Sequence, residues 1–246
     1  MASKTPFQFN FRHGDTIANK YMILKKLGGG WEGEVYKAQE IASKITCALK
    51  FFYPKRNMKN KVANKYAQRL HQLSESPVAI NYYTQEFIDF DGHNITCFVY
   101  EYADGTILSD FLKRQPGQRV GIMEGLLLLN SLAKGIESVH FYNEYHGDLH
   151  TDNIIIKRKG LSFEFKLLDM YNWGDSKGLN KAEDIVNLIR IFYEAIGGRK
   201  HYSKHPQEVK DICLGLRPSL ILKKFRTASL LRQHLENIDW QTETRL

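Results

Sequence analysis

The sequence predicts an α+β fold in two parts, a β-rich first part and a mainly helical second part. Residues 1–103 contain roughly five runs of β-branched and aromatic residues and one helical stripe, formed by Val62, Tyr66, Leu70 and Leu73. From residue 104 onward, apolar residues recur mostly at helical spacing. No internal repeat or low-complexity linker separates the parts. Residues 1–246 are therefore interpreted as one domain with two lobes that meet near residue 103.

The strands of the first part are predicted from β-rich runs, several of which are followed by glycine, proline or aspartate. These runs cover residues 21–24, 34–38, 46–52, 79–90 and 94–102. Asp91 and Gly92 join the last two runs, and this dipeptide is typical of a tight hairpin turn. We therefore expect an antiparallel sheet with one helix.

The second part is predicted to contain one long helix and several shorter ones. Residues 121–142 place six apolar side chains on one broad face: Leu126, Leu129, Leu132, Ala133, Ile136 and Val139. Short strands are expected at residues 154–156 and 165–168. Residues 184–196 and the segments within 206–236 are again helical in period.

The composition is that of an ordinary globular protein, with 43% hydrophobic and 25% charged residues. It excludes a disordered, collagen-like or disulfide-framework protein. No apolar run approaches the ~18 residues that a membrane span needs, and the N-terminus lacks the apolar core of a secretory signal. Cys47, Cys97 and Cys213 are widely spaced, which favours reduced core thiols over a disulfide or a metal site. A cytoplasmic protein is expected.

The formal net charge of +8 predicts an anionic partner. Between residues 54 and 74 there is no acidic side chain, and the six basic ones are Lys55, Arg56, Lys59, Lys61, Lys65 and Arg69. Aromatic interleaving and zinc-finger spacing are both missing, so a solvated helix face is favoured over a nucleic-acid patch.

A glycine pattern, Gly28-x-Gly30-x-x-Gly33-x-Val35, follows the first strand. In a dinucleotide fingerprint such glycines open into a helix whose N-terminus binds pyrophosphate. Here residues 34–38 continue as a strand, which indicates a strand–turn–strand flap over phosphates. A plain glycine-rich hairpin remains the alternative at this point.

Lys50 lies on the next predicted strand, seventeen residues after Gly33. An ammonium group within an apolar strand needs an anion beside it or a solvated face. Its position after the flap favours an interaction with ATP phosphates.

The polar stretch 146–153, followed by Asp169 at the end of a strand, is the most specific signal. Phosphoryl transfer needs a carboxylate that orients the acceptor hydroxyl and oxygen ligands for Mg²⁺. Asp148 supplies the first, and Asn153 and Asp169 supply the second. A polar loop formed by chance would rarely show this order and spacing.

With these motifs, the chain resembles the protein-kinase-like superfamily over nearly its whole length, and the region around Gly28 resembles bacterial Ser/Thr kinases. The resemblance implies a two-lobed fold with an antiparallel N-lobe sheet plus one helix, and a mainly helical C-lobe. Tyr100 would be the gatekeeper, and backbone groups of Glu101 and Ala103 would bind adenine. The full implied nucleotide-binding set is Gly28, Gly29, Gly30, Gly33, Val35, Ala48, Lys50, Tyr100, Glu101 and Ala103.

The resemblance also assigns roles in the second lobe. Asp148, Lys50 and His150 would be catalytic, with His150 either stabilising charge or hydrogen-bonding within its loop. Asp184 would begin a large helix and brace the catalytic loop, while His140 and His146 would be structural. ATP and Mg²⁺ are the implied substrate and cofactor, and the acceptor would be a hydroxyl of a protein or a small molecule.

Three departures from the family pattern qualify the resemblance. The helix after Lys50 has no glutamate to pair with it, and Tyr66 falls near that position, so we expect Lys50 to pair with Asp169, Glu75 or Glu86. The metal triplet reads Asp169-Met170-Tyr171 rather than Asp-Phe-Gly. Fourteen residues separate Asp169 from Asp184, which leaves no room for a long activation loop.

A Ser/Thr protein-kinase-like phosphotransferase is therefore the predicted function. The short segment after Asp169, together with Gly147 and His150, is similar to aminoglycoside phosphotransferases and favours a small-molecule kinase as the alternative. A pseudokinase that only binds nucleotide or a partner is the second alternative.

Overall fold

The computed structural model describes residues 7–160, 162–170 and 176–238. The chain divides into two compact units. Unit 1 consists of residues 1–74 and 80–103, and unit 2 of residues 75–79 and 104–246. The predicted boundary near residue 103 differs for residues 75–79, because the Leu167 amide donates to the Val78 carbonyl at 2.8 Å and ties this segment to unit 2.

The described residues of unit 1 form an antiparallel sheet with one α-helix, as predicted, but the sheet has six strands rather than five, because the short β1 was not predicted. The strand order is β1-β2-β3-β4-β6-β5. The strands are β1 (Thr16–Ile17), β2 (Tyr21–Gly29), β3 (Gly33–Glu40), β4 (Thr46–Phe52), β5 (Tyr82–Phe90) and β6 (His93–Glu101). At the turn between β5 and β6, Asp91 and Gly92 both have positive φ, 52° and 70°, which is the geometry that this dipeptide predicts.

One core cluster of unit 1 lies on the face of this sheet that carries Tyr36, because successive strand residues point to opposite faces. Tyr36, Leu49 and Phe51 are fully buried there. Phe9 and Phe11 of the N-terminal segment cover them, with ring centroids 5.4 Å and 4.8 Å from that of Phe51. This cover of the sheet by the N-terminal segment was not predicted.

Helix α1 (Lys61–Gln72) follows β4. Two residues in the left-handed region, Lys59 and Asn60, precede it and set its direction. Leu70 is buried, as the stripe predicts, but Val62 is exposed and Ala63 takes the buried place in the first turn. The predicted buried face was therefore wrong at its first residue.

Unit 2 is mainly helical and contains a small antiparallel sheet of order β7-β8-β9. The strands are β7 (Thr106–Ile107), β8 (Ile154–Lys159) and β9 (Ser162–Leu167). The helices are α2 (Leu108–Arg114), α3 (Ile122–Phe141), α4 (Lys177–Ala195), α5 (Gly198–Tyr202), α6 (Gln207–Cys213), α7 (Pro218–Lys224) and α8 (Ala228–Glu236).

The long helix α3 confirms the predicted face, since all six residues predicted to form that face are buried. Helix α4 begins at Lys177, seven residues before the predicted start at Asp184. Ser176 caps it by accepting a hydrogen bond from the Leu179 amide at 3.2 Å. Among the described residues, no helix has the length and apolar character to cross a membrane.

Candidate active site

The predicted flap is a strand–turn–strand hairpin, as the residues after its glycines indicated. The Gly30 amide donates to the Gly33 carbonyl at 2.9 Å, which closes the turn between β2 and β3. Gly33 is required by packing, because a Cβ atom there would lie 1.9 Å from the Phe51 carbonyl oxygen. Gly28 and Gly30 have no atom within 4 Å of such a Cβ position among the described residues. Their backbone is therefore open to close approach by a ligand.

Glu34 anchors the base of the flap in β3. Its buried carboxylate accepts from Lys26 Nζ at 2.8 Å, from Tyr53 Oη at 3.2 Å and from the Tyr36 hydroxyl. Burial opposes ionisation of Glu34, but the hydrogen bonds from Lys26 and Tyr36 outweigh it and lower the pKa of the carboxyl. Burial and the neighbouring carboxylate raise the pKa of the Tyr36 hydroxyl.

The sheet register brings four predicted nucleotide-binding residues to one face of unit 1. Val35 is directly opposite Lys50, and Ala48 is directly opposite Tyr100. Lys50 and Ala48 are two positions apart on β4, so all four lie on the same face, opposite to the aromatic core. The structure thus groups residues that the sequence could only place on separate strands.

Lys50 is 5% exposed, and its ammonium group pairs with a carboxylate of the flap. Lys50 Nζ lies 2.9 Å from Glu32 Oε2. Towards α1, Lys50 Nζ lies 5.2 Å from the centroid of the Tyr66 ring. Tyr66 is near the position at which the family pattern has a glutamate. Glu32 was not among the three expected acids. Of those, Glu86 accepts from Lys20 Nζ at 2.7 Å, and a contact of Lys50 with Asp169 or Glu75 stays a prediction. The feature of the sequence that could have indicated Glu32 as a partner of Lys50 is its position next to Gly33 in the predicted hairpin.

Glu101 ends β6, and Ala103, two residues later, lies outside any helix or strand. The Glu101 amide donates to the Asn81 carbonyl at 2.9 Å, and its carboxylate accepts from the Asn81 amide at 3.2 Å. These bonds hold the end of the strand. That the backbone of these residues binds adenine stays a prediction.

The backbone of the loop 146–153 in unit 2 is hydrogen-bonded to Asp184, a fully buried carboxylate in α4. The amides of His146 and Gly147 donate to its two oxygens at 2.7 Å and 3.0 Å. His140 Nε2 lies 3.1 Å from the same carboxylate. The bracing role implied for Asp184 is confirmed by these contacts, although Asp184 lies inside the helix rather than at its start.

Asp148 and Asn153 contact each other across this loop. Asn153 Nδ2 donates to the Asp148 carbonyl at 2.9 Å and lies 3.4 Å from Asp148 Oδ2. Because the amide nitrogen faces Asp148, the oxygen Oδ1 is directed elsewhere and is the atom that could bind a cation. The Asp148 carboxylate is 43% exposed, so an external hydroxyl group can reach it.

His150 makes its hydrogen bonds within the loop. Its Nε2 lies 2.9 Å from Asn153 Nδ2, and the Asp152 amide lies 3.3 Å from its Nδ1. The Asp152 amide can only donate, so Nδ1 accepts from it, while Nε2 contacts the Asn153 amide group. His150 is therefore held against Asn153, and the charge-stabilising role stays a prediction.

Asp169 lies beside Asn153 at the end of the β8–β9 hairpin. Ile154 pairs with Leu167, and the Leu168 amide donates to the Asn153 carbonyl at 2.8 Å. Asp169 itself has a φ of 47°, which turns the chain at this point. Carboxylate and amide oxygens are ligands that Mg²⁺ prefers, so the donor set fits this ion.

The residues after Asp169 form a short connection to α4. Met170 is 2% exposed. Tyr171, the third residue of the metal triplet, lies outside the described residues, so what it contributes stays a prediction. Since α4 begins at Lys177, the connection covers residues 170–176 and is shorter than the spacing to Asp184 suggested.

The comparisons with known proteins point to one family. The family model described as "Protein kinase domain" matches residues 21–203. The chain is 29% identical over 144 residues to serine/threonine-protein kinase fray1 of Dictyostelium discoideum, covering 58% of this chain but 24% of that protein. It is 24% identical over 248 residues to the probable serine/threonine-protein kinase YbdM of Bacillus subtilis, covering 97% of this chain and 94% of that protein.

A solved structure shows the same fold. The kinase domain of PknI from Mycobacterium tuberculosis aligns with a TM-score of 0.67 at 15% identity. The alignment covers 92% of this chain and 98% of that domain.

Proposed function

The chain belongs to the protein kinase domain family, and on that basis we propose that it transfers the γ-phosphoryl group of ATP to a Ser or Thr hydroxyl of a protein. The observation that carries this proposal is the geometry of the loop 146–153. An exposed carboxylate, Asp148, is held by Asn153, and a fully buried carboxylate, Asp184, holds the backbone of the loop. Such pre-positioned groups are what phosphoryl transfer requires, since positioning and electrostatics supply most of its catalysis.

In unit 2, Asp148 would accept a hydrogen bond from the acceptor hydroxyl and orient its oxygen towards the phosphorus atom. Asn153 Oδ1 and the Asp169 carboxylate would hold Mg²⁺. When bound, this ion neutralises charge on the phosphate oxygens. His150 lies against the Asn153 amide group.

In unit 1, Lys50 would donate to the phosphates of ATP, and the backbone of Gly28 and Gly30 would approach them from the flap. The open space around these two glycines supports that role. Val35, Ala48 and Tyr100 share the face of Lys50 and would contact the base, together with Gly29, Gly33 and the backbone of Glu101 and Ala103.

A small-molecule kinase is the second candidate. The short connection over residues 170–176 favours it, because a long activation segment is the element on which regulated protein kinases bind peptides. The relatives from Dictyostelium discoideum and Bacillus subtilis are named as a serine/threonine-protein kinase and a probable one, which favours the first candidate. A pseudokinase is disfavoured, since a binding module has no physical need for Lys50, Asp148, Asn153 and Asp169 together.

The experiment is incubation of the purified chain with radiolabelled ATP and Mg²⁺, in one arm with heat-treated cell protein and in the other with a pool of small metabolites. We expect label in protein. The Asp148→Asn variant should lose at least about a hundredfold of this activity, the usual contribution of a positioned acid or base. Asp152→Asn removes the same charge from an exposed position of the same loop and should retain it.

Transfer to small molecules alone would favour the second candidate. No transfer in either arm, or an Asp148→Asn variant as active as the parent, would contradict the proposal.

A further inference from the structure

The tip of the flap is held down on β4 and the residues that follow it. The guanidinium carbon of Arg56 lies 3.8 Å from the centroid of the Trp31 ring. The Tyr53 amide donates to the Glu32 carbonyl at 2.8 Å. The Glu32 carboxylate binds Lys50 Nζ at 2.9 Å. Two consecutive residues of the turn thus make three contacts with this part of the chain.

The ion pair between Glu32 and Lys50 is largely shielded from water, with side chains 16% and 6% exposed. A charge-assisted hydrogen bond in such a place is stronger than one on the surface, and the desolvated ammonium group needs an anion beside it. On α1 the facing residue is Tyr66, an uncharged ring. A carboxylate that counters the charge of Lys50 therefore comes from the flap itself.

We propose that Glu32 is a latch: it holds the closed flap on Lys50 and competes with the phosphates of the incoming nucleotide for the Lys50 ammonium group. This inference rests on the proposed function, in which Lys50 binds ATP. A phosphate group and the Glu32 carboxylate are both anions. In the proposed function the phosphates bind beside the flap that carries Glu32, so the two groups would compete for the same ammonium group. Nucleotide binding then requires that the carboxylate leaves, and the flap tip is released as the phosphates arrive.

The latch lowers the apparent affinity for nucleotide, because only the fraction of molecules with an accessible Lys50 can bind phosphates. Removal of the carboxylate should tighten ATP binding by about tenfold, the equivalent of one charge-assisted hydrogen bond that no longer has to be broken. Adenosine has no phosphates, so its affinity should not depend on Glu32.

The first test measures the dissociation constants of ATP with Mg²⁺, and of adenosine, by titration calorimetry. Glu32→Gln is compared with the parent and with Asp91→Asn, which removes one negative charge from the exposed β5–β6 turn. We expect tighter ATP binding for Glu32→Gln alone and adenosine affinities within about twofold of each other. Weaker or unchanged ATP binding in Glu32→Gln would overturn the latch.

A second measurement needs no nucleotide. An amine-reactive ester labels lysines according to their access and their fraction of neutral amine, and peptide mass spectrometry reports the rate at each lysine. In Glu32→Gln, Lys50 should react about tenfold faster than in the parent, because its ammonium form loses a partner. The exposed Lys44 serves as the internal reference.

The outcomes separate the latch from the proposed function. Equal reactivity of Lys50 in both proteins would overturn the latch even if ATP binds. Failure of both proteins to bind ATP would refute the proposed function and, with it, the competition.

Discussion

Replacement of Asp184 should release the loop 146–153 from α4, and its energetic consequence can be worked out from the contacts. The carboxylate is fully buried and accepts one hydrogen bond on each oxygen, from the amides of His146 and Gly147. In Asp184→Ala both amides lose their acceptor. A buried donor without a partner costs about 1–3 kcal/mol, so the free energy of unfolding should fall by roughly 3–5 kcal/mol.

Asp184→Asn distinguishes the hydrogen bonds from packing, since the side chain keeps its shape. One amide can still donate to the remaining oxygen, but the other meets an NH₂ group, which is also a donor. We expect a loss of about 2 kcal/mol. Exposed Asp110, which pairs with Lys113 at 3.0 Å, provides the matched control, and Asp110→Asn should change stability by less than about 0.5 kcal/mol.

The assay combines urea denaturation with hydrogen exchange of individual amides. The exchange data report whether the amides of residues 146 and 147 lose protection first, as a local opening of the loop requires. An Asp184→Asn variant as stable as Asp110→Asn, with unchanged protection of these two amides, would refute the account of Asp184 as the support of the loop.

Three further predictions concern the flap, its base and the metal ligands. Gly33→Ala should lower the free energy of unfolding by about 2–4 kcal/mol in urea denaturation, because the added Cβ would collide with the Phe51 carbonyl. Gly30→Ala is the control and should change this free energy by less than about 1 kcal/mol. Equal losses in the two variants would contradict the packing argument. The lowered pKa of Glu34 means that its contribution to stability is present above the ordinary pKa of 4.5 and is lost as the pH falls through the lower folded-state pKa. Denaturation midpoints should therefore fall as the pH drops below 4.5, and less steeply in Glu34→Gln. Parallel pH profiles would exclude Glu34 as the cause. Asp169→Asn should remove most of the Mg²⁺-dependent rise in melting temperature with ATP, while the metal-free rise stays as in the parent; a full Mg²⁺ effect in the variant would show that Asp169 is no ligand.

Local sequence signals predicted most of the elements, because the energies that form them are local. The apolar face of α3 is periodic, and every one of its six predicted residues is buried. The Asp91–Gly92 turn has the positive φ values that its residues prefer. Asn153 and Asp169 were predicted as a pair from spacing, and the β8–β9 hairpin lies between them. Their roles as metal ligands remain predictions.

Other features depended on contacts between distant parts of the chain, which spacing along the sequence does not encode. The N-terminal Phe9 and Phe11 cover the sheet through rings forty or more positions away in the chain. Helix α4 starts earlier than predicted because the Ser176 cap, rather than apolar periodicity, determines its first turn.

The pairing of Lys50 shows the same division most clearly. The sequence by itself determined that a lysine within an apolar strand would follow the flap and that α1 would have no carboxylate for it. Which acid takes that place was decided by the tertiary structure, through the register of β3 on β4 and the turn that brings Glu32 to 2.9 Å from the ammonium group. A buried charge requires a partner, but the choice among several carboxylates depends on three-dimensional distance, and the fold alone sets that distance.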